Sequence, residues 1–239
     1  MYKGIYVALS GAVLRSQELD TVANNLANIN TIGFKKSSFS SRLYPLLEGT
    51  DEKQGAAYPE AKAMAYFGQY HIDQSEGALK NTGNALDIAV KGEGFFAVQR
   101  QGQTFYTRNG AFTRDKEGFL VTQDGFNVLD AGGNSVNLGN KGTVNITSDG
   151  MVYNDGNNIA RIRLAKVENA IHASDSLFSG KDAGNAGGEI VQGELEMSNV
   201  NPVREMIGII LAQRQFQAAI SVIQSLDDLA KQTPQIVKS

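Results

Sequence analysis

Residues 201–230 read NPVREMIGIILAQRQFQAAISVIQSLDDLA, and residues 1–30 read MYKGIYVALSGAVLRSQELDTVANNLANIN. Both stretches predict long helices with apolar residues at coiled-coil spacing. In the second, Asn201 is a good N-cap, Pro202 suits the first helical position, and Glu205 sits in the first turn, where the helix dipole favours a carboxylate. Two apolar stripes follow: Val203, Ile207, Leu211, Ala218, Val222 and Leu229, then Met206, Ile209, Phe216, Ile220 and Ile223. A helix apolar on two faces is wider than a two-helix pairing requires, so it has room for more than one neighbour. Pro234 is expected to end the pattern.

At the other terminus, Ile5, Leu9, Ala12, Ser16, Leu19, Ala23 and Leu26 alternate steps of four and three, an a/d seam with small residues that let backbones approach. At 1.5 Å per residue this helix is roughly 40 Å long. Thr31-Ile32-Gly33 supplies a stop, with Gly33 as the C-terminal cap. The amides Asn24, Asn25, Asn28 and Asn30 carry two readings: capping near the helix end, or hydrogen bonds that fix register across a packed interface. Because the stripes lie at opposite termini, they can cover each other or the stripes of neighbouring copies. That points to an assembly protein rather than a pocket enzyme.

The middle of the chain is punctuated by turn signals: Asn109-Gly110, Glu117-Gly118, Asp124-Gly125, Gly132-Gly133-Asn134, Asp149-Gly150 and Asp155-Gly156. Between them lie short apolar runs such as Phe95-Phe96-Ala97-Val98 and Val144-Asn145-Ile146. Leu86, Ile88 and Val90 alternate with Asp87 and Ala89, the pattern of a half-buried strand. The serines at 37, 38, 40 and 41, the stretch Glu48-Gly49-Thr50-Asp51-Glu52-Lys53, and the Gly/Ala-rich residues 179 to 188 read as loops. The predicted class is α+β: an all-β central domain with N- and C-terminal helices that pair as a coiled-coil-like assembly domain. Its parts are the N-terminal helix (1–36), a connector (37–75), the β-rich domain (76–178), a second connector (179–197) and the C-terminal helix (198–239).

Composition excludes several roles. With 239 residues and 41% hydrophobic content the chain is long enough for one or two domains. A net charge of −3, from 22 basic and 25 acidic residues, offers no broad basic surface for nucleic acid. The lack of cysteine removes disulfides, thiolate metal sites and a Cys nucleophile. Lys3 is the one basic residue before an interrupted apolar stretch, which is not a signal-peptide pattern, and no segment reaches the apolar length expected of a bilayer span.

No catalytic, cofactor-binding or metal-ligating set is assigned. His71 and His172 are the two histidines, and Glu168, four residues before His172, gives an ion pair or loop neighbour rather than a metal site. Gly92-Glu93-Gly94 fits a loose dinucleotide fingerprint, but Phe95-Phe96-Ala97-Val98 after it predicts a strand where that motif needs a helix. Asp115, Glu117, Asp124 and Asp130 could be imagined as paired glycosidase acids, yet each sits where turn chemistry accounts for it.

Four motifs together resemble the bacterial flagellar rod and hook family. They are Ala23-Asn24-Asn25-Leu26-Ala27-Asn28 through Gly33-Phe34-Lys35; Asn81-Thr82-Gly83-Asn84 through Gly94-Phe95-Phe96; Tyr106-Thr107-Arg108-Asn109-Gly110-Ala111-Phe112 through Asp124-Gly125; and Ser198-Asn199-Val200-Asn201-Pro202 through Gln213-Arg214-Gln215-Phe216. They fall in order over nearly the whole chain. Ala85 stands where the family usually has proline. Within the family, the short length and the C-terminal motif are most similar to proximal-rod members, then to distal-rod and hook-type axial members. The resemblance implies a structural subunit of the basal-body rod that spans the periplasm, is exported by the flagellar type III apparatus without a cleaved leader, and assembles with other rod proteins and copies of itself. It implies no cofactor, no nucleic acid and no direct membrane insertion. The assembly contacts expected are Ile5, Leu9, Leu19, Leu26, Ile207, Leu211, Phe216 and Ile220, with Asn24, Asn28 and Asn30 setting register. The rival class is a secreted β-rich hydrolase or carbohydrate binder with the helices as caps, which predicts a cleft with convergent acids.

Overall fold

The computed structural model describes residues 2–46, 62–174 and 176–236. Helices α1 (Tyr2–Ala27) and α2 (Pro202–Ile236) bracket a run of strands. The chain divides into two compact units. One gathers α1, β1 (Ser37–Leu46), β2 (Lys62–Ile72) and α2; the other holds residues 27–36 and 71–201.

The β unit is organised around β5 (Phe95–Arg100), because successive side chains of a strand point to opposite faces. Phe95 and Ala97 join one buried cluster with Tyr106, Ala165, Val167 and Phe178. Phe96 and Val98 join another with Ile88, Val90, Phe112, Leu120 and Val128. One six-residue strand thereby serves two cores. Ring pairs mark both: Phe95 meets Phe178 at 5.3 Å and Phe96 meets Phe112 at 5.3 Å, each edge to face.

The strand pairings of this unit are antiparallel. β5 pairs with β6 (Gln103–Thr107), β6 with β14 (Leu177–Asn185), and β14 with β13 (Leu164–His172). β13 then returns to β5, Leu164 opposite Phe96 and Ala165 opposite Phe95, so these four strands close into a ring. β7 (Phe112–Arg114), β8 (Leu120–Thr122) and β9 (Asn127–Val128) extend the sheet from β5. A separate three-stranded sheet holds β10 (Val144–Ile146), β11 (Met151–Asn154) and β12 (Asn157–Arg161). Asp155 (φ 48°) and Gly156 (φ 83°) make its last hairpin, the two positive φ values of a type I′ turn that the Asp-Gly pair predicts.

Several expectations need correction. The serine run expected to be loop lies in strand β1 (37–46), which pairs with β2 (62–72) inside the predicted connector. A serine run carries no alternating apolar signal, and the pairing that makes it a strand is not local. The predicted Glu48–Lys53 loop lies outside the described residues. The stretch 179–197 is also largely strand: β14 runs to Asn185, β15 (Glu189–Gln192) pairs with β4 (Ile88–Lys91), and β16 (Glu194–Glu196) pairs with β3 (Leu79–Asn81). β4 is not half-buried, since Ile88, Ala89 and Val90 are all fully enclosed. Asp87 beside it is held by Thr82 Oγ1 (2.7 Å) and Asn84 Nδ2 (3.0 Å). α1 stops at Ala27, six residues before Gly33, so Gly33 is not its cap. Gly33 has φ 70°, and a Cβ there would stand 2.2 Å from Asn109 N; the glycine permits close backbone approach. α2 continues to Ile236 past Pro234, because proline removes only its own donor and crowds one carbonyl upstream.

Candidate assembly surface

Within the helical unit, α1 and α2 run antiparallel. A Cβ on Gly4 would lie 3.5 Å from Leu226 Cδ1, one on Gly208 would lie 3.4 Å from Val22 Cγ1, and Asn25 Nδ2 donates to Glu205 Oε2 at 3.2 Å. These contacts share one register. The covered positions of α2 include Glu205, Ile209, Ala212, Phe216, Ala219, Ile223 and Leu226, at alternating steps of four and three, with Gly208 and Ile220 beside them. On the opposite side of α2, Val203, Met206, Ile207, Ile210, Leu211, Val222 and Leu229 are each more than half exposed. Tyr6, Val7, Leu9 and Val13 are exposed on α1.

The residues expected to carry assembly therefore fall on two faces. Ile207 and Leu211 are exposed, whereas Phe216 and Ile220 are half-buried. Ile5, Leu19 and Leu26 are half-buried, and Leu9 is exposed. The sequence seam is out by one residue at two places: Ala8 and Val22 are half-buried, while Leu9 and Ala23 are exposed.

Among the amides, Asn24 and Asn30 are exposed. Asn28 is buried and closes the turn after α1, its Oδ1 accepting from Thr31 Oγ1 (2.9 Å) and its carbonyl from Thr31 N (3.2 Å). Asn25, which was not singled out for register, is the amide that joins elements. It is 1% exposed; its Oδ1 accepts from Ser37 N (2.9 Å) and its Nδ2 donates to Ser37 O (2.9 Å) as well as to Glu205. One legible signal points to it: antiparallel termini bring the last turn of α1 to the first turn of α2, where Glu205 is the acid.

Two segments of the β unit that lie beside crossings to the helical unit, residues 33–36 and 194–199, meet in a buried charge cluster. Lys35 Nζ donates to Glu196 Oε1 (2.6 Å) and Ser75 O (2.5 Å). Arg108 Nη1 donates to Glu196 Oε2 (3.0 Å) and Nη2 to Gly92 O (2.7 Å), and all three side chains are at most 1% exposed. Burial pushes the Lys35 ammonium below the ordinary lysine value, against the opposing pull of Glu196. The amide and then the hydroxyl of Ser75 hold the nearby Asp73 carboxyl below the usual carboxylate range. Lys35 and Arg108 lie within the motifs quoted from the sequence, yet their shared partner Glu196 lies just outside the last one, so the sequence did not reveal the cluster.

The remaining candidates resolve into structure. His172 sits on a strand, its ring 4.9 Å from that of Phe34 and 4.7 Å from that of Phe178, and its Nε2 donates to Lys35 O (2.9 Å). Asp115 Oδ1 accepts from Glu117 N and Phe119 N, and Asp130 Oδ1 from Gly132 N and Asn134 N, the turn roles expected of them. β5 follows Gly92-Glu93-Gly94, so no dinucleotide turn forms. A cleft of about 330 Å³ is lined by Glu93, Lys166, Glu168 and Asn169, with Lys166 Nζ 3.7 Å from Glu93 Oε2. No cluster of metal-ligating residues occurs among the described residues. One expectation about membranes is overturned: residues 202–229 of α2 are, by length and composition, apolar enough to cross one. The polar Gln213-Arg214-Gln215 run hid this from a reading by uninterrupted apolar length.

Comparison with known proteins bears on the whole chain. Residues 5–35 match the family model described as flagella basal body rod protein, residues 89–154 that of the flagellar hook protein FlgE/F/G D1 domain, and residues 191–236 that of the flagellar basal body rod FlgEFG protein C-terminal. The flagellar basal-body rod protein FlgF of Caulobacter vibrioides is 33% identical over 242 residues, covering 97% of this chain and 96% of that one. FlgF of Rhizobium meliloti is 32% identical over 90% of each chain, and the rod protein FlgG of Bacillus subtilis is 29% identical over 97% of this chain and 98% of its own. This chain belongs to the flagellar basal-body rod protein family, a family of structural proteins rather than enzymes.

Proposed function

We propose that the chain is a FlgF-type subunit of the proximal rod, placed in the flagellar basal body and polymerised through its terminal helices into the axial drive shaft. The observation that carries this is the open stripe on α2, seven large apolar side chains each more than half exposed. Five of the seven fall between Val203 and Leu211, and a cluster of exposed large apolar side chains marks an interaction site; the covered heptad on the opposite face leaves the pairing of α1 with α2 intact as a coiled-coil-like unit. Other rod proteins and further copies of this chain cover the stripe. Head-to-tail contacts that do not close on themselves generate a helical array. Arg214, near the middle of the apolar stretch, costs about 2.5–3.5 kcal/mol at a bilayer centre, which favours a protein neighbour over lipid. Export through the flagellar type III apparatus without a cleaved leader belongs to the same reading.

The similarity to FlgG gives the distal rod as the second reading. Replacing the endogenous FlgF or FlgG gene with this one separates the two. Restored swimming in the FlgF-deficient strain alone supports the proximal assignment, and restoration in the FlgG-deficient strain alone overturns it. In the complementing strain, Ile207→Asp is expected to abolish rod assembly while the secreted subunit keeps its β unit. Motile cells carrying that variant would overturn the stripe as the contact.

A further inference from the structure

Two segments from far apart in the chain meet on the β unit, with 161 positions separating Lys35 from Glu196. The segment 33–36 forms no helix or strand, yet Phe34 and Lys35 are each 1% exposed. It is seated by backbone as well as side chain. Gly33 N donates to Glu196 O (2.8 Å), Lys36 N donates to Asn199 Oδ1 (2.8 Å), and Lys36 O accepts from Asp73 N (2.9 Å). Asn199 in turn donates from Nδ2 to Asp73 O (2.9 Å) and Ser75 O (3.1 Å).

Glu196 is the point where these bonds converge. Its Oε1 accepts from Lys35 Nζ and from Gly77 N (2.8 Å), and its Oε2 accepts from Arg108. One carboxylate thus serves the N-terminal segment, the strand that leads toward α2, and the body of the β unit. The arithmetic of charge makes this more than a fastening. Two buried cations share one buried anion, so a β unit that seats Lys35 and Arg108 before residue 196 arrives must hold two positive charges out of water without that anion, which is strongly unfavourable. Conversely, a seated Glu196 without Lys35 loses an acceptor's partner at 2.6 Å.

We propose that Glu196 makes the docking of the two terminal segments a single event: residues 33–36 seat on the β unit only when residues 194–199 are seated, and the reverse. The two ends of the chain therefore leave the β unit together or not at all. This does not depend on which rod subunit the chain is.

Hydrogen exchange of the full chain, read by mass spectrometry, tests it with two variants. Glu196→Gln is expected to speed exchange at residues 33–36 about tenfold or more, along with residues 195–199. Lys35→Met, which keeps the Arg108–Glu196 pair, is expected to do the same at Gly77 and residues 196–199, across the chain from the altered residue. Should Glu196→Gln fail to fold, Lys35→Met decides alone. Acceleration confined to the altered segment overturns the proposal, and so does a response in only one direction, because a coupling free energy is reciprocal. Loss of protection throughout β5 and β6 in both variants overturns it too, since the cluster would then support the whole unit instead of linking its ends.

Discussion

Asn25 makes hydrogen bonds to both backbone groups of Ser37 and to the Glu205 carboxylate from one buried amide. Replacing it with Leu leaves buried donors and acceptors unsatisfied, each worth about 1–3 kcal/mol. The thermal transition of the helical unit in Asn25→Leu is expected to fall accordingly, and an unchanged melt would refute the role. Gly33→Ala combines a left-handed backbone with a Cβ 2.2 Å from Asn109 N, so the backbone itself must shift. The sequence made Gly33 look like a local cap because its true reason, Asn109, is remote in the chain. Asp73 supplies a pH test. Its carboxyl titrates below the unfolded value, so its contribution is present above about pH 4 and is lost as pH falls through the lower folded value. Asp73→Asn keeps an oxygen acceptor for Ser75 N but does not titrate there. The acid limb of stability against pH is expected to be shallower in Asp73→Asn than in the parent; superimposable limbs would refute the assignment.

At the scale of elements, α2 was readable as a helix with two stripes, from its cap at Asn201 to its apolar spacing. Which stripe stays open was not readable, because α1 is apolar enough to cover either. The structure makes the two faces separable by experiment. Phe216→Asp strikes the covered face and is expected to lower the helical circular-dichroism signal of the isolated chain. Ile207→Asp strikes the open face and is expected to leave that signal unchanged. Equal effects of the two would contradict this division. A Cβ at Gly11 meets nothing within 4 Å, so Gly11→Ala should add about 0.5–1 kcal/mol of helix stability to the isolated chain. Strands β15 and β16 escaped the sequence reading for a different reason. Both are short, and their partners β4 and β3 lie roughly a hundred residues earlier, so no local pattern records the pairing.

For the molecule as a whole, the order of helix, β-rich middle and helix was legible because hydrophobic period and turn residues are local. The division into units was less so. Residues 27–36 follow α1 in sequence yet belong with the β unit, through contacts made far along the chain. Limited proteolysis of the isolated chain is expected to trim both termini rapidly toward a resistant core. The β-rich domain read from the sequence spans 76–178; the structure extends the unit to 71–201 and predicts that a fragment containing 27–36 co-purifies with it. A chain resistant throughout would count against helices that depend on neighbours. The closed ring of β5, β6, β14 and β13 bears on crowding. Its closure rests on short seams, β6 meeting β14 at Tyr106–Phe178 and Thr107–Leu177 and β13 meeting β5 at Leu164–Phe96 and Ala165–Phe95, and only along these seams is a strand bonded to both its neighbours in the ring. Where the seams run, a subunit packed shoulder to shoulder with its own kind is spared strand addition, and the choice of companion there is left to side chains.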